Sequence, residues 1–321
     1  MSNRANNSRV GFALVVLGAA LPLLLFPALA RQQGRREIVS DDFTRPRPTP
    51  TPKRSLIFGG IGRTRDSPRE ILARRYRFVE SSSPNAKPLN AADNIQQLGI
   101  TLWRLRPAKP GDTGERMLIQ EKGLAALWVP ERVEIATPLH DGDRVRLSIE
   151  SPRAGYLYIF DRALYANGQM GEAIRVFPTR TVRGGDNRVV AGKLIDLPAQ
   201  EAQQSYITIQ PRPSAAGNAQ TGEVLTLIVT DNPLPLTITD QPVKIAPANL
   251  ASWEKEWTAD NERYELEGGA GQTWTSEERE ASRGVGSKQL KQTDSPPQTL
   301  YRIAMANKSA FLVSVRLNYR N

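Results

Sequence analysis

A single histidine, His140, stands in the 321-residue chain, within His140-Asp141-Gly142-Asp143, the one local gathering of side chains suited to chemistry. A histidine beside two carboxylates has the makings of a general base, and Asp and Gly in alternation can wrap oxygens around a hard cation such as calcium. The same spacing suits a turn, in which Asp141 and Asp143 accept from main-chain N–H groups and Gly142 supplies a positive φ. The turn is adopted here, because no glutamate follows at the bidentate position that an EF-hand loop requires. With one histidine and no cysteine, a multi-histidine zinc site, a two-histidine iron site and a thiolate nucleophile cannot be staffed. The sequence holds no G-x-S-x-G, H-E-x-x-H or G-x-x-x-x-G-K-[ST]. Gly284-Val285-Gly286-Ser287-Lys288 lacks the phosphate-loop spacing, and Gly59-Gly60-Ile61-Gly62 lacks the flanking strand and helix of a dinucleotide fold. The expectation is no catalytic residue, no cofactor and no metal, with a single-histidine hydrolase as an alternative that needs His140 in a cleft.

Aromatic residues are the other candidates for contact with a ligand or partner. Leu250, Trp253 and Trp257 recur at helical spacing, which predicts a helix from an N-cap at Asn249 to about Leu266, stopped by Gly268-Gly269. A polar stretch from Gly268 to Pro297 follows and is expected as a flexible loop, so that the whole insertion covers about 249–297. A tryptophan pair on a helix suits core packing; exposed, Trp253 and Trp257 would suit stacking on sugar rings or a partner protein. Tyr156 and Tyr158, with Tyr206, pose the same choice between sheet packing and a sugar-binding row.

These residues need a frame, and the sequence predicts one made of strands. Between Gly142 and Val229 the runs RVRLSIES, GYLYIFDRALY, AIRVFPT, KLIDLP, SYITIQ and EVLTLIV are cut by Gly, Pro, Asn and Asp. In Arg144 to Glu150, Val145, Leu147 and Ile149 share one face and Arg144, Arg146, Ser148 and Glu150 the other, as in a strand with one wet side. Gly155 to Asp161 is apolar on both faces, which marks a central strand. Phe311 to Arg320 alternates in the same way and is expected to pair into the sheet, with Ala304 to Ser309 as the turn of a hairpin leading back to Leu300–Ile303. The fold class expected is mostly β: an antiparallel β-sandwich, Ig-like or similar, over 98–321, with one helical insertion and a disordered N-terminal tail.

Ahead of it, Arg4 and Arg9 precede the uncharged stretch Val10 to Leu25 and the small-residue pattern Ala28-Leu29-Ala30, the features of a secretory signal peptide over 1–30. The alternative is an uncleaved inner-membrane anchor over 10–30, for which the length and the basic residues Arg31, Arg35 and Arg36 speak. Residues 31–97 form a basic, proline-rich linker. Of the net charge of +10, most resides there: Arg31 to Glu80 holds thirteen basic and six acidic residues. RPRPTPTPKR predicts an extended spacer. Ser67-Pro68-Arg69-Glu70 followed by Leu72, Tyr76 and Val79 predicts a short basic helix near 68–80, able to rest on an anionic membrane surface. Nucleic acid is not an expected partner, since aromatic residues are sparse in the basic stretch and the leader points out of the cytoplasm.

GDRVRLSIESPRAGYLYIFD, VFPT, GGDNRVVAGKLIDLP, SYITIQ and GEVLTLIVTDNPL occur in that order across about 140–234. This block resembles the bacterial domain of unknown function 4384 family. The resemblance covers under a third of the chain and implies an exported or appended β-rich interaction module without an assigned activity. It offers no catalytic residue to carry over. Together these readings predict a non-enzymatic, periplasmic or secreted binding or scaffolding module of the cell envelope, whose partner is an envelope protein or polysaccharide, with a carbohydrate-binding module as the alternative.

Overall fold

Side chains that alternate between oily and polar leave each strand one face to hide, and packing two sheets face to face hides them together. The computed structural model of the chain describes residues 37–50, 74–82, 88–89, 94–121, 124–202, 204–211, 218–284, 286–305 and 309–320. The leader at 1–30 and the start of the expected helix at 68–73 lie outside them. In chain order the first elements are β1 (Glu37–Val39), α1 (Asp41–Thr44), β2 (Arg75–Ser81), β3 (Ile95–Pro107), β4 (Met117–Glu121), β5 (Leu124–Val133), β6 (Leu139–His140), β7 (Arg144–Glu150), β8 (Gly155–Tyr165) and β9 (Ile174–Phe177). Next come β10 (Arg188–Val189), β11 (Ile195–Leu197), β12 (Ile207–Thr208), β13 (Gln220–Thr230), β14 (Val243–Lys244), α2 (Pro247–Trp257), β15 (Asn261–Leu266), α3 (Ser276–Ser282), β16 (Thr299–Ala304) and β17 (Ala310–Arg320).

The protein is mostly β, a sandwich of two largely antiparallel sheets. One sheet, called A here, runs β1-β2-β15-β16-β3-β5-β4, with β7 on the other edge of β3 and with β11 and β12 on β7. The other, B, runs β14-β9-β8-β13-β17-β6, with β10 on β8; its β17–β6 pair is parallel. Between the sheets lie Leu98, Ile100 and Leu102 of β3, Val145, Leu147 and Ile149 of β7, Leu225, Leu227 and Val229 of β13, and Phe311, Val313, Val315 and Leu317 of β17. Each buried side chain of this size contributes about 1.5–3 kcal/mol of transfer free energy. Strand β8 is central, between β9 and β13, as its two apolar faces require.

Five expectations are corrected. Residues 75–81 form strand β2 rather than the end of a helix, because Tyr76 and Phe78 have period-two neighbours to meet: β2 pairs with β15 and Tyr76 packs with Phe43, Tyr264, Leu266 and Leu300. With β1 and α1, this carries the folded unit back to residue 37, into the stretch expected to be linker. Helix α2 ends at Trp257, and Asn261–Leu266 crosses to sheet A as a strand; its start is Pro247 after Ala246, not Asn249. The stretch 268–297 is not a plain loop, since it contains α3 and buries Trp274, Ala281 and Leu290. Strands β16 and β17 do not form a hairpin, as β16 belongs to sheet A and β17 to sheet B. Among the described residues no helix is long and apolar enough to cross a membrane.

Candidate functional site

The aromatic candidates gather beneath α2. Trp253 and Trp257 stack on each other with ring centres 6.1 Å apart, and Trp253 lies 5.4 Å from Phe160. Trp257 and Tyr158 are buried, while Trp253 and Tyr156 are half-buried against the same cluster. The Tyr158 hydroxyl accepts from the Leu234 N–H at 2.7 Å. The four residues singled out from the sequence are therefore brought together, as packing that seats α2 on sheet B and not as a row facing solvent. Tyr206 is likewise buried, in a separate cluster with Leu105 and Ile119.

His140 ends the two-residue strand β6, and its side chain is 54% exposed. Asp143 accepts from its main-chain N–H at 2.9 Å, the Asp143 N–H returns to the His140 carbonyl at 3.0 Å, and Gly142 has φ +84°. That is the turn, with Asp143 spent on it. Gly184-Gly185, at φ +64° and +89°, makes another turn, and Asp186 accepts from the Arg188 N–H at 3.2 Å. Salt bridging and hydrogen bonding to Arg188 hold the Asp186 carboxyl below its usual range.

The outer face of sheet A holds what the sequence did not announce. Arg146, Ser148 and Glu150, expected to be wet, are buried together with Arg132, Asp196 and Glu278. Arg146 donates to Asp196 at 2.8 Å, and Ser148 Oγ donates to the other Asp196 oxygen at 2.5 Å. Arg132 pairs with Glu278 and donates to the Pro296 carbonyl at 2.8 Å. Arg47, in the stretch expected to be a free spacer, reaches Glu150 with two hydrogen bonds of 2.8 and 2.6 Å; burial works against its charge, but Glu150 outweighs it and raises its pKa. The indoles of Trp103 and Trp274 sit 6.2 Å apart among these groups, with Arg132 over Trp103 and Arg146 over Trp274. Thr275 and Glu278 form a capping box at the start of α3, and the T-x-x-E spacing is the one signal in the sequence that marks this element. The charges here face one another, not an opening, so they act as a clasp that holds 268–298 and the Arg47 segment on the sheet.

What remains unexplained by packing is the end of sheet A. Strand β5 pairs with β3 through Trp128–Val133 and with β4 through Leu124–Trp128, so the tip of the β4–β5 hairpin runs past the sheet as a two-stranded ribbon. Leu118 and Leu127 are cross-strand partners there and are 62% and 45% exposed; Leu124, at the turn, is 77% exposed. The root of the ribbon is anchored by Ile119, Leu105 and Tyr206 with Met117 and Trp128, and the Arg144 guanidinium lies 4.0 Å over the Trp128 ring. Among the described residues β4 has no partner beyond β5, so one edge of its main chain is open. An open groove of about 710 Å³ lies between Leu118, Ile119 and Gln120 of β4 and the stretch that holds Gln204, Ser205, Tyr206 and Thr208. Apolar side chains on an unpaired edge are what a docking surface needs and what a solitary domain avoids. The runs MLIQ and LAALWV are visible in the sequence, but an apolar run reads equally well as the interior of a sheet. No family model, curated protein or solved structure matches the chain.

Proposed function

We propose that the chain is a non-enzymatic docking module of the bacterial cell envelope, which holds a partner protein on the β4–β5 ribbon. The observation that carries this reading is the exposure of Leu118, Leu124 and Leu127 on a strand pair with an open edge. An extended segment of the partner would add main-chain hydrogen bonds along β4 and bury the leucines. Export rests on Arg4, Arg9, Val10–Leu25 and Ala28-Leu29-Ala30. A polysaccharide ligand finds less support, because the tryptophans it would stack on pack against Phe160 and each other. A hydrolase finds less still, with His140 on an exposed turn beside Asp143. Charge on the basic stretch is also partly consumed: Arg47 lies on Glu150, Arg77 on Glu134 at 2.6 Å and Arg75 on Glu37 at 3.2 Å, which leaves less of it for an anionic membrane.

The test is site-specific photo-cross-linking from position 124 in intact cells, with the mature N-terminus sequenced in the same sample. A defined partner band is expected, lost in the Leu118→Ser/Leu127→Ser variant while the melting temperature stays within a few degrees. The same band in the variant, or a cytoplasmic partner, would overturn the reading.

A further inference from the structure

The inner face of sheet B breaks its own rule at one end. Along β8 the core residues Leu157 and Ile159 are followed, two residues on, by Asp161; along β13, Val229, Leu227 and Leu225 are followed by Glu223. The ladder sets Asp161 opposite Leu225, and Glu223 opposite Leu317 of β17, so both carboxylates stand on the buried face where a leucine would continue the stripe. Both side chains are half-buried, so each gives up part of its hydration. Here they border a cavity.

That cavity lies between the sheets and measures about 330 Å³. Its walls include Val145, Leu147, Leu225 and Leu317, and Ile207, 40% exposed, stands at its rim. Protein interiors are close-packed and leave few voids larger than a water molecule. An apolar cavity of about 150 Å³ already admits benzene, so this one has room for a body about twice that size. Asp161 and Glu223 are the charged groups in the lining, which among the described residues contains no lysine, arginine or histidine. Burial first, and the neighbouring Glu223 carboxylate next, raise the pKa of the Tyr319 hydroxyl. Apolar walls with a few convergent acceptors of one charge sign select both shape and charge.

We propose that this cavity binds a small cationic amphiphile, with the apolar body between the sheets and an ammonium group on Asp161 and Glu223. A positive head gains charge-assisted hydrogen bonds from carboxylates already held in an apolar setting, a neutral head gains ordinary ones, and an anion is repelled. This site is apart from the ribbon and does not depend on it, so ribbon variants that lose the cross-linked partner leave it intact.

The experiment titrates the full chain with n-hexylammonium, 1-hexanol and hexanoate by calorimetry, with methyl NMR to place them. Hexylammonium is expected to bind tightest, to shift the methyl signals of Val145, Leu147 and Leu225, and to weaken by about tenfold or more in Glu223→Gln, while 1-hexanol changes by no more than about twofold. Thermal melting of Glu223→Gln checks that the variant is folded, and Asp161→Asn serves if it is not. Hexanoate binding as tight as hexylammonium, methyl shifts elsewhere, an unchanged hexylammonium affinity in the folded variant, or no binding at all would each overturn the proposal.

Discussion

The outer faces of the two sheets are both covered, by opposite means. On sheet B, Tyr158, Phe160, Ile228 and Leu312 lie under Leu250, Trp253 and Trp257 of α2, an apolar seal. On sheet A, Trp103, Arg146, Ser148 and Glu150 lie under Trp274, Glu278 and the chain to Gln298, an ionic one. An apolar seal is graded, because each lost contact costs only its own area. An ionic seal is closer to all or none, because a buried charge without its partner retains the whole desolvation cost. The molecule thus keeps one face that tolerates change and one that fixes where two distant segments must lie.

The sharpest way to break this contrast is Asp196→Ala, which strands Arg146 and Ser148 and is expected to cost about 3–5 kcal/mol by urea denaturation. The double replacement Arg146→Met with Asp196→Leu is expected to recover most of that loss. If it recovers nothing, pairing is not what makes the face brittle.

Glu265 shows what burial does where the arginine stands off. It accepts from Thr299 Oγ1 at 3.0 Å, Arg263 is 3.5 Å away, and burial raises its carboxyl to about 7. A carboxyl with a raised folded pKa contributes stability that is complete below its unfolded value and lost as pH rises through about 7. At about 1.4 kcal/mol per pKa unit, stability should fall by an amount on the order of 3 kcal/mol between about pH 4.5 and 7. Glu265→Gln should flatten that part of the pH profile; an unchanged slope would assign it to other groups.

On the apolar face, Trp253→Leu keeps an oily side chain but loses the ring contacts with Phe160 and Trp257. It should cost about 1–2 kcal/mol, the smallest effect of the three. A loss as large as that of Asp196→Ala would erase the distinction between the two seals.

Alternation made the sandwich legible. Val145, Leu147 and Ile149, or Phe311 to Leu317, declare one buried face in their order alone, because a strand's side chains switch sides at every residue. Helix α2 declared its stripe as well, though its end at Trp257 did not show, since Asn261–Leu266 had a strand partner waiting in β16. Tyr76 follows the same logic. Its spacing to Val79 fits a helix, and only the edge of β15 made the alternative cheaper. The β4–β5 ribbon was visible as two apolar runs, but exposure is a property of neighbours, and no run contains the absence of one.

The order of residues therefore settled the class of fold, the turn at His140 and the apolar core, all of which follow from interactions within a few positions along the chain. Tertiary structure alone decided that Arg47 meets Glu150 across 103 residues, that Arg132 meets Glu278 across 146, and that Leu118 and Leu127 stay exposed. A polar residue in a strand looks wet until another segment covers it, and a leucine looks buried until none does; both outcomes depend on the arrival of distant chain, which periodicity cannot encode.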